Sequence, residues 1–271
     1  MSGRVRRAII AAQTDTGVRR DENQDVAVVD GWASGADAAR FSLDGVALDR
    51  SVLLAVVDGM GGHRGGAYAA WLTARTLIAD GRGVANGFDA NEFARRAHET
   101  VSDAGAGLAA ADMGAAFAAL VLRPDGLAVF NIGDCRVYRL TEGLLAGLTV
   151  DDTGPSRRDP SRTVLTQAIG GGGGAVVFDA HWFETPWSSA SHRFLLASDG
   201  LLVLADAEAA DLAGRGSPAD AVAALVTASR AAGAPDNITV IVVDVVDVVD
   251  DGAADATAGR PAVSATGPTR V

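Results

Sequence analysis

Short apolar runs divided by turn residues recur along most of the chain. Runs rich in β-branched residues predict strands over 4–12, 27–30, 51–57, 115–122, 127–132, 136–140, 175–182, 192–197 and 237–249. The segments SVLLAVV at 51–57 and FLLA at 194–197 are apolar throughout, the pattern of strands covered on both faces. Alanine-rich stretches between the strands predict helices over 66–79, 91–111 and 217–232. Ser217 followed by Pro218 reads as a cap and a first-turn proline, which marks the start of the last helix. The glycine run from Gly170 to Gly174 reads as a flexible surface connection, because it lacks the Lys-Ser/Thr of a phosphate-cradling loop. From about Gly252 the residues are small, polar and unpatterned, so 251–271 is expected to form a disordered tail behind one domain spanning 1–250. Strands in hairpin-like succession, with helices in pairs, favour an α+β sandwich over an alternating βαβ sheet.

Composition narrows the function classes. With 271 residues, 48% hydrophobic and 21% charged, the chain has ample material for a buried core and is neither fibrous nor disordered in character. Thirty-four acidic against 23 basic residues give a net charge of −11, which disfavours non-specific nucleic-acid binding. The single cysteine, Cys135, excludes a disulfide scaffold and a zinc site built on several thiolates. The opening MSGRVRRAIIAAQTDTG lacks a signal-peptide core, and no uncharged apolar run is long enough to span a bilayer. The expected setting is cytoplasmic, with no membrane and no nucleic acid as partner.

The candidate chemistry lies in aspartates at the ends of apolar strands. Asp58 follows SVLLAVV and precedes Gly59; Asp199 follows FLLAS and precedes Gly200. Asp134 sits in NIGDCR, Asp236 in PDN before ITVIVV, and Asp25 closes RRDENQD before VAVV. A strand end holds a carboxylate on rigid backbone, and an adjacent glycine lets another group approach the main chain. One Asp-Gly is a common turn dipeptide and carries little weight alone. A set of such aspartates converging in one cleft would repel strongly unless divalent cations joined them. Oxygen-only ligands suit Mg²⁺ or Mn²⁺ and argue against zinc or copper.

With these segments in hand, the chain resembles the metal-dependent serine/threonine protein phosphatases of type 2C, in their compact bacterial form. The resemblance rests on GVRRDENQD (17–25), VVDGMGGHRGG (56–66), NIGDCRVYRL (131–140), LTVDDT (148–153), LTQAIG (165–170), LLASDGL (195–201) and PDNITVIVV (235–243), in the order the family has them. It implies a four-layer αββα sandwich, two antiparallel sheets flanked by helix pairs, with a centre for two Mn²⁺ or Mg²⁺ ions at one end. By the resemblance Asp58 bridges both ions, the Gly59 carbonyl completes one shell, and Asp25, Asp199 and Asp236 supply the other protein ligands. Arg20 matches the arginine that holds the substrate phosphate, a role suited to a planar, permanently charged guanidinium. Asp134 matches a ligand of a third, weakly held ion. The implied activity is hydrolysis of phosphoserine and phosphothreonine in proteins by a hydroxide bridging the ions. Its implied partners are phosphorylated proteins, among them a serine/threonine kinase and its targets.

The sequence also departs from the family. Gln24 replaces an acidic residue before Asp25, Met60 stands where some members have a histidine, and Cys135 stands where serine is usual. His63 is the nearest histidine, read first as a residue packing the glycine turn and second as an acid for the leaving group. Val203 lacks the carboxylate many members carry four residues beyond Asp199, so a third ion is expected to bind weakly. The flap between Asp152 and Leu165 is short and basic, carrying Arg157, Arg158 and Arg162 for contact with an acidic or phosphorylated substrate segment, or simply as a trimmed, solvated loop. The alternative function is a catalytically weak regulatory module that binds a phosphoprotein or kinase.

Overall fold

The computed structural model describes residues 4–35, 39–61, 63–80, 88–171, 176–188, 191–249, 262–263 and 269–270. The chain begins with β1 (Arg4–Asp15), β2 (Val26–Val29), β3 (Trp32–Ala33), β4 (Ala39–Ala47) and β5 (Val52–Met60), then helices α1 (His63–Asp80) and α2 (Ala90–Gly107). Next come β6 (Gly114–Leu122), β7 (Gly126–Ile132), β8 (Arg136–Thr141), β9 (Leu144–Gly147) and the small hairpin of β10 (Thr153–Pro155) and β11 (Thr163–Leu165). After these follow β12 (Ile169–Gly170), β13 (His181–Pro186), β14 (His192–Ala197), a 3₁₀ turn at Asp199–Val203, α3 (Asp206–Ala213), α4 (Pro218–Ala231) and β15 (Ile238–Val249). Two strand fragments, β16 (Ala262–Val263) and β17 (Thr269–Arg270), pair with β4 and β3. The rest of the tail expected to be disordered lies outside the described residues.

One sheet runs β16-β4-β1-β15-β14-β8-β9 and the other β13-β7-β6-β5-β2-β3-β17, with β12 paired to β6. Every strand pairing is antiparallel. Period-two alternation builds the layers. In β5, Leu53, Ala55 and Val57 pack with α1 and α2, whereas Val52, Leu54 and Val56 join the core between the sheets. In β15, Val240 and Val242 pack with α3 and α4, whereas Ile241 and Val243 face the inter-sheet core. Three hydrophobic layers thus separate helices, sheet, sheet and helices. This is the αββα sandwich the resemblance implied.

Several local expectations are corrected. Strand β5 continues through Asp58 to Met60, so the aspartate belongs to the ladder opposite Ala116. The strand expected over 175–182 is instead His181–Pro186, because the β-branched Val176 and Val177 stand exposed, Val177 at 95%. The expected surface connection at the glycine run starts inside the sheet: Gly170 is buried in β12 and pairs with Gly114, while 172–174 lie outside the described residues. Helix α4 starts as expected, with a capping box between Ser217 and Asp220 and Pro218 in the first turn.

Candidate metal centre

The same alternation that fills the inter-sheet core carries polar residues into it at one end of the sandwich. Thr14 continues the face of Ala8, Ile10 and Ala12; Asp58 continues that of Leu54 and Val56; Ser198 continues that of Phe194 and Leu196. Thr239 and Asp25 extend the faces of Ile241 and Ala27 in the same way. Each side chain therefore meets the others where the apolar filling stops.

A buried hydrogen-bond network fixes them. Ser198 Oγ donates to Asp25 Oδ2 at 2.7 Å and accepts from the Thr239 amide at 3.0 Å. Thr14 and Thr239 hydroxyls lie 2.7 Å apart, and Asn23 Nδ2 donates to Thr14 Oγ1 at 2.8 Å. Asn23 Oδ1 accepts from the Asp25 amide at 3.1 Å. Asn237 clips the preceding loop: it accepts from the Gln24 amide and donates to the Thr16 and Glu22 carbonyls, all within 3.0 Å. Asp152 ties the NIGD turn by accepting from the Gly133 amide at 2.8 Å and from Gln167 Nε2 at 2.7 Å, which holds Asp134 in place.

Burial, with neighbouring charge behind it, raises the proton affinity of Asp25, Asp58, Asp134 and Asp199. Asp25 is 1% exposed, and burial, opposed by its Ser198 and Thr239 hydrogen bonds and reinforced by the charge of Asp236, lifts its pKa to about 6. Burial, then the charges of Asp236, Asp134 and Asp25, lift Asp199 to about 7. Asp58 is pushed well above the usual carboxylate range by burial and by Asp25, Asp199, Asp236 and Asp134. Burial also raises Asp134. Cys135 is buried beside them and its thiol is pushed up, so it stays protonated and inert.

Asp58, Gly59, Asp134, Asp199 and Asp236 line one cleft of about 670 Å³, with Arg20 and Met60 on its walls. Arg20 Nη2 donates to Asp236 Oδ2 at 2.5 Å. Asp25 lies beneath, within reach of Asp58. Among the described residues no three acidic, histidine or cysteine side chains close around a single point; Asp25 is turned toward Ser198 and Asp236 toward Arg20. The donor set nonetheless fits hard cations, since Asp25 Oδ1 and Asp199 Oδ1 are buried without a hydrogen-bond partner among the described residues. Gly59 has a packing reason of its own: a Cβ there would meet the Gly66 carbonyl oxygen of α1 at 2.2 Å.

The β10–β11 hairpin forms the far wall through Thr153, Arg162, Thr163, Val164 and Leu165. Of the flap arginines only Arg162 lines the cleft; Arg157 and Arg158 are exposed outside it. The His63 side chain lies outside the described residues. Thr14, Asn23, Ser198, Thr239 and Asn237 were not anticipated as supports, although strand alternation places Thr14, Ser198 and Thr239 on the inter-sheet face.

This fold is an αββα sandwich with a carboxylate-lined cleft at one end. Residues 36–238 match the protein phosphatase 2C profile, and the chain belongs to that family. It is 28% identical over 221 residues to the serine/threonine protein phosphatase PstP of Mycobacterium tuberculosis, an alignment covering 72% of this chain and 40% of the relative. It is 27% identical over 219 residues to the serine/threonine phosphatase stp of Listeria innocua, covering 72% of this chain and 85% of the relative. Among solved structures, the catalytic domain of PstP in complex with two manganese ions superposes with a TM-score of 0.66 at 27% identity, covering 89% of this chain and 100% of that one.

Proposed function

We propose that this chain is a divalent-metal-dependent phosphatase that hydrolyses phosphoserine and phosphothreonine in proteins. The observation that carries the reading is that Asp58, Asp199 and Asp236 line one cleft, with Asp25 buried beneath them and an arginine at the mouth. Asp58 and the Gly59 carbonyl, with Asp25, Asp199 and Asp236, would hold two Mn²⁺ or Mg²⁺ ions, and Asp134 would hold a weaker third. When bound, such ions activate water and neutralise charge building on a phosphoryl group.

The protein's own residues supply position and charge. Arg20 is half exposed and, among the described residues, tethered at Asp236 alone, so its planar fork is available to grip two phosphate oxygens at the cleft mouth. Asn237 and Asn23 hold the loop that carries Arg20 and ends at Asp25. Met60 and Leu165 line the cleft without offering a proton. The relatives named as serine/threonine phosphatases support the same reading. Phosphorylated proteins, including a kinase of that specificity and its targets, are the proposed partners, and the cytoplasm the proposed setting.

The test is hydrolysis of p-nitrophenyl phosphate and of phosphothreonine peptides with Mn²⁺, with and without EDTA. The expected result is turnover that EDTA abolishes. Metal-loaded protein inert on both substrates would overturn the proposal.

A further inference from the structure

Beside the carboxylate cleft lies a second one of about 430 Å³, within the size range of ligand pockets. The two share Asp134, Thr153, Thr163, Asp199 and Asp236, so the second cleft directly adjoins the place a phosphorylated residue would occupy in the first. Its distinctive lining is Leu202, Val203 and Pro235. Leu202 is 40% exposed and Val203 36%, while their neighbours Leu201 and Leu204 are buried at 3% and 6%. Two aliphatic side chains therefore stand open in the wall of an otherwise polar site.

Their position is fixed relative to the metal centre. They end the 3₁₀ turn that starts at Asp199, closed by Leu201 N donating to Ser198 O at 3.2 Å and Leu204 N to Leu201 O at 3.0 Å. Gly200 seats that turn directly on the backbone of β15's approach: a Cβ at Gly200 would lie 1.9 Å from the Asn237 carbonyl oxygen. The charged groups of the cleft are already engaged. Arg136 donates to Asp151 at 2.6 Å and to the Tyr138 hydroxyl at 2.9 Å, which leaves it no free role as an anchor for an acidic side chain. Asp151 is neutralised by the same pair, and Asp134, Asp199 and Asp236 belong to the proposed metal sites, which lowers the attraction for a basic one.

We infer that this second cleft is a specificity subsite that takes an uncharged aliphatic or aromatic side chain adjacent to the phosphorylated residue of a protein substrate. The inference rests on the phosphatase reading above and names its substrate class. Contact with Leu202 and Val203 stabilises the bound peptide by removing apolar surface from water. Even one methylene group in such a pocket is worth roughly tenfold or more in kcat/KM, and the half-open wall here puts the Leu–Ala difference at the low end.

The experiment measures kcat/KM on phosphothreonine peptides carrying Leu, Ala, Lys or Glu at each neighbouring position. It uses Mn²⁺-loaded wild type, the double variant Leu202→Asn/Val203→Asn and the conservative Val203→Ile, with p-nitrophenyl phosphate as a substrate lacking any neighbour. The expected result is roughly tenfold preference for Leu over Ala on one flank, carried by KM. That preference should vanish in the double variant and persist in Val203→Ile, while p-nitrophenyl phosphate turnover stays equal in all three. Equal rates for all flanking residues, preference for Lys or Glu, or a Leu preference surviving the double substitution would each overturn the subsite. Loss of p-nitrophenyl phosphate turnover in the wild type is a different result, which overturns the phosphatase reading and the subsite together.

Discussion

Arg20 and Asp236, 216 residues apart in sequence, meet at 2.5 Å across the mouth of the carboxylate cleft. The arginine side chain is 52% exposed and the aspartate 28%, so solvent screens the pair and its contribution to stability is small, about 0–1 kcal/mol. Its significance is that the proposed phosphate ligand is parked on a proposed metal ligand. Were Asp236 to serve as a metal ligand, its pairing with Arg20 would weaken and the guanidinium would be the freer to hold a phosphate. Arg20→Ala should accordingly leave the melting temperature within about 3 °C of wild type. The same change should raise KM for phosphothreonine peptides by roughly 10–100-fold, the loss of a charge-assisted hydrogen bond. Steady-state kinetics beside a thermal melt checks both halves, and an unchanged KM would remove Arg20 from the phosphate site.

Burial sets a pH dependence on the metal-free protein. The pKa of Asp25 rises to about 6 and that of Asp199 to about 7, above the ordinary 3.8 of an unfolded aspartate. The folded chain therefore holds protons that the unfolded chain has released. The stabilisation from those protons is fully present below the unfolded value and is lost as pH rises through about 6 and then about 7. In EDTA, stability should fall by a few kcal/mol, on the order of 10 °C in melting temperature, between pH 5 and pH 8. Added Mn²⁺ should reverse the fall at the upper end, because it binds the ionised carboxylates of the folded state alone. A metal-free melting temperature that rises from pH 6 to pH 8 would contradict the crowding of these groups.

Asp58 tests the same electrostatics from the opposite direction. Burial and the charges of four neighbouring carboxylates, Asp25, Asp199, Asp236 and Asp134, act on it together. Asp58→Asn keeps the shape of the side chain and its place opposite Ala116 while removing its charge. Turnover should drop by on the order of 10³-fold or more, as expected when one electrostatic element of a reaction site is deleted. In EDTA at pH 8 the variant should melt above the wild type, since the surviving carboxylates repel less. Near-normal activity in Asp58→Asn would refute the assignment of the centre.

The candidate ligands were legible in the sequence because each aspartate adjoins an apolar strand, and a strand end fixes where a side chain can go. Their supports were not legible. Ser198 and Asp25 are 173 residues apart, and Thr14 and Thr239 are separated by 225, so no local pattern links them. Alternation alone held the clue, since Thr14, Ser198 and Thr239 all fall on the parity of apolar inter-sheet residues. Strand β4 escaped notice because ARFSLDGVA interrupts its alternation with Gly45 and borrows its order from pairing with β1. Helix α3, eight residues long, lacks a side-chain cap and gains its place from Leu212 and Ala213 packing beneath sheet and helix. At 175–182 the β-branched composition misled, because Val176 and Val177 have neither a strand partner nor a core to enter.

Asn237 joins support to chemistry and gives the sharpest test of that argument. It is 4% exposed, and its carboxamide accepts from the Gln24 amide at 2.9 Å while donating to Thr16 O at 2.9 Å and Glu22 O at 3.0 Å. Deleting it leaves buried backbone groups unpaired at roughly 1–3 kcal/mol each, so Asn237→Ala should lower unfolding stability by about 3 kcal/mol in urea. The loop it clips carries Arg20 and delivers Asp25, so Mn²⁺ affinity should weaken by roughly 10–100-fold, as when a ligand's supporting hydrogen bonds are removed. Asn237→Asp separates the two functions of the carboxamide. It keeps the acceptor for Gln24 but loses both donors, so it should recover only part of the stability while adding a negative charge beside Asp236. If Asn237→Ala matched wild type in urea midpoint and in Mn²⁺ titration, the loop would be held by its contacts with Ala234 and Arg230 instead.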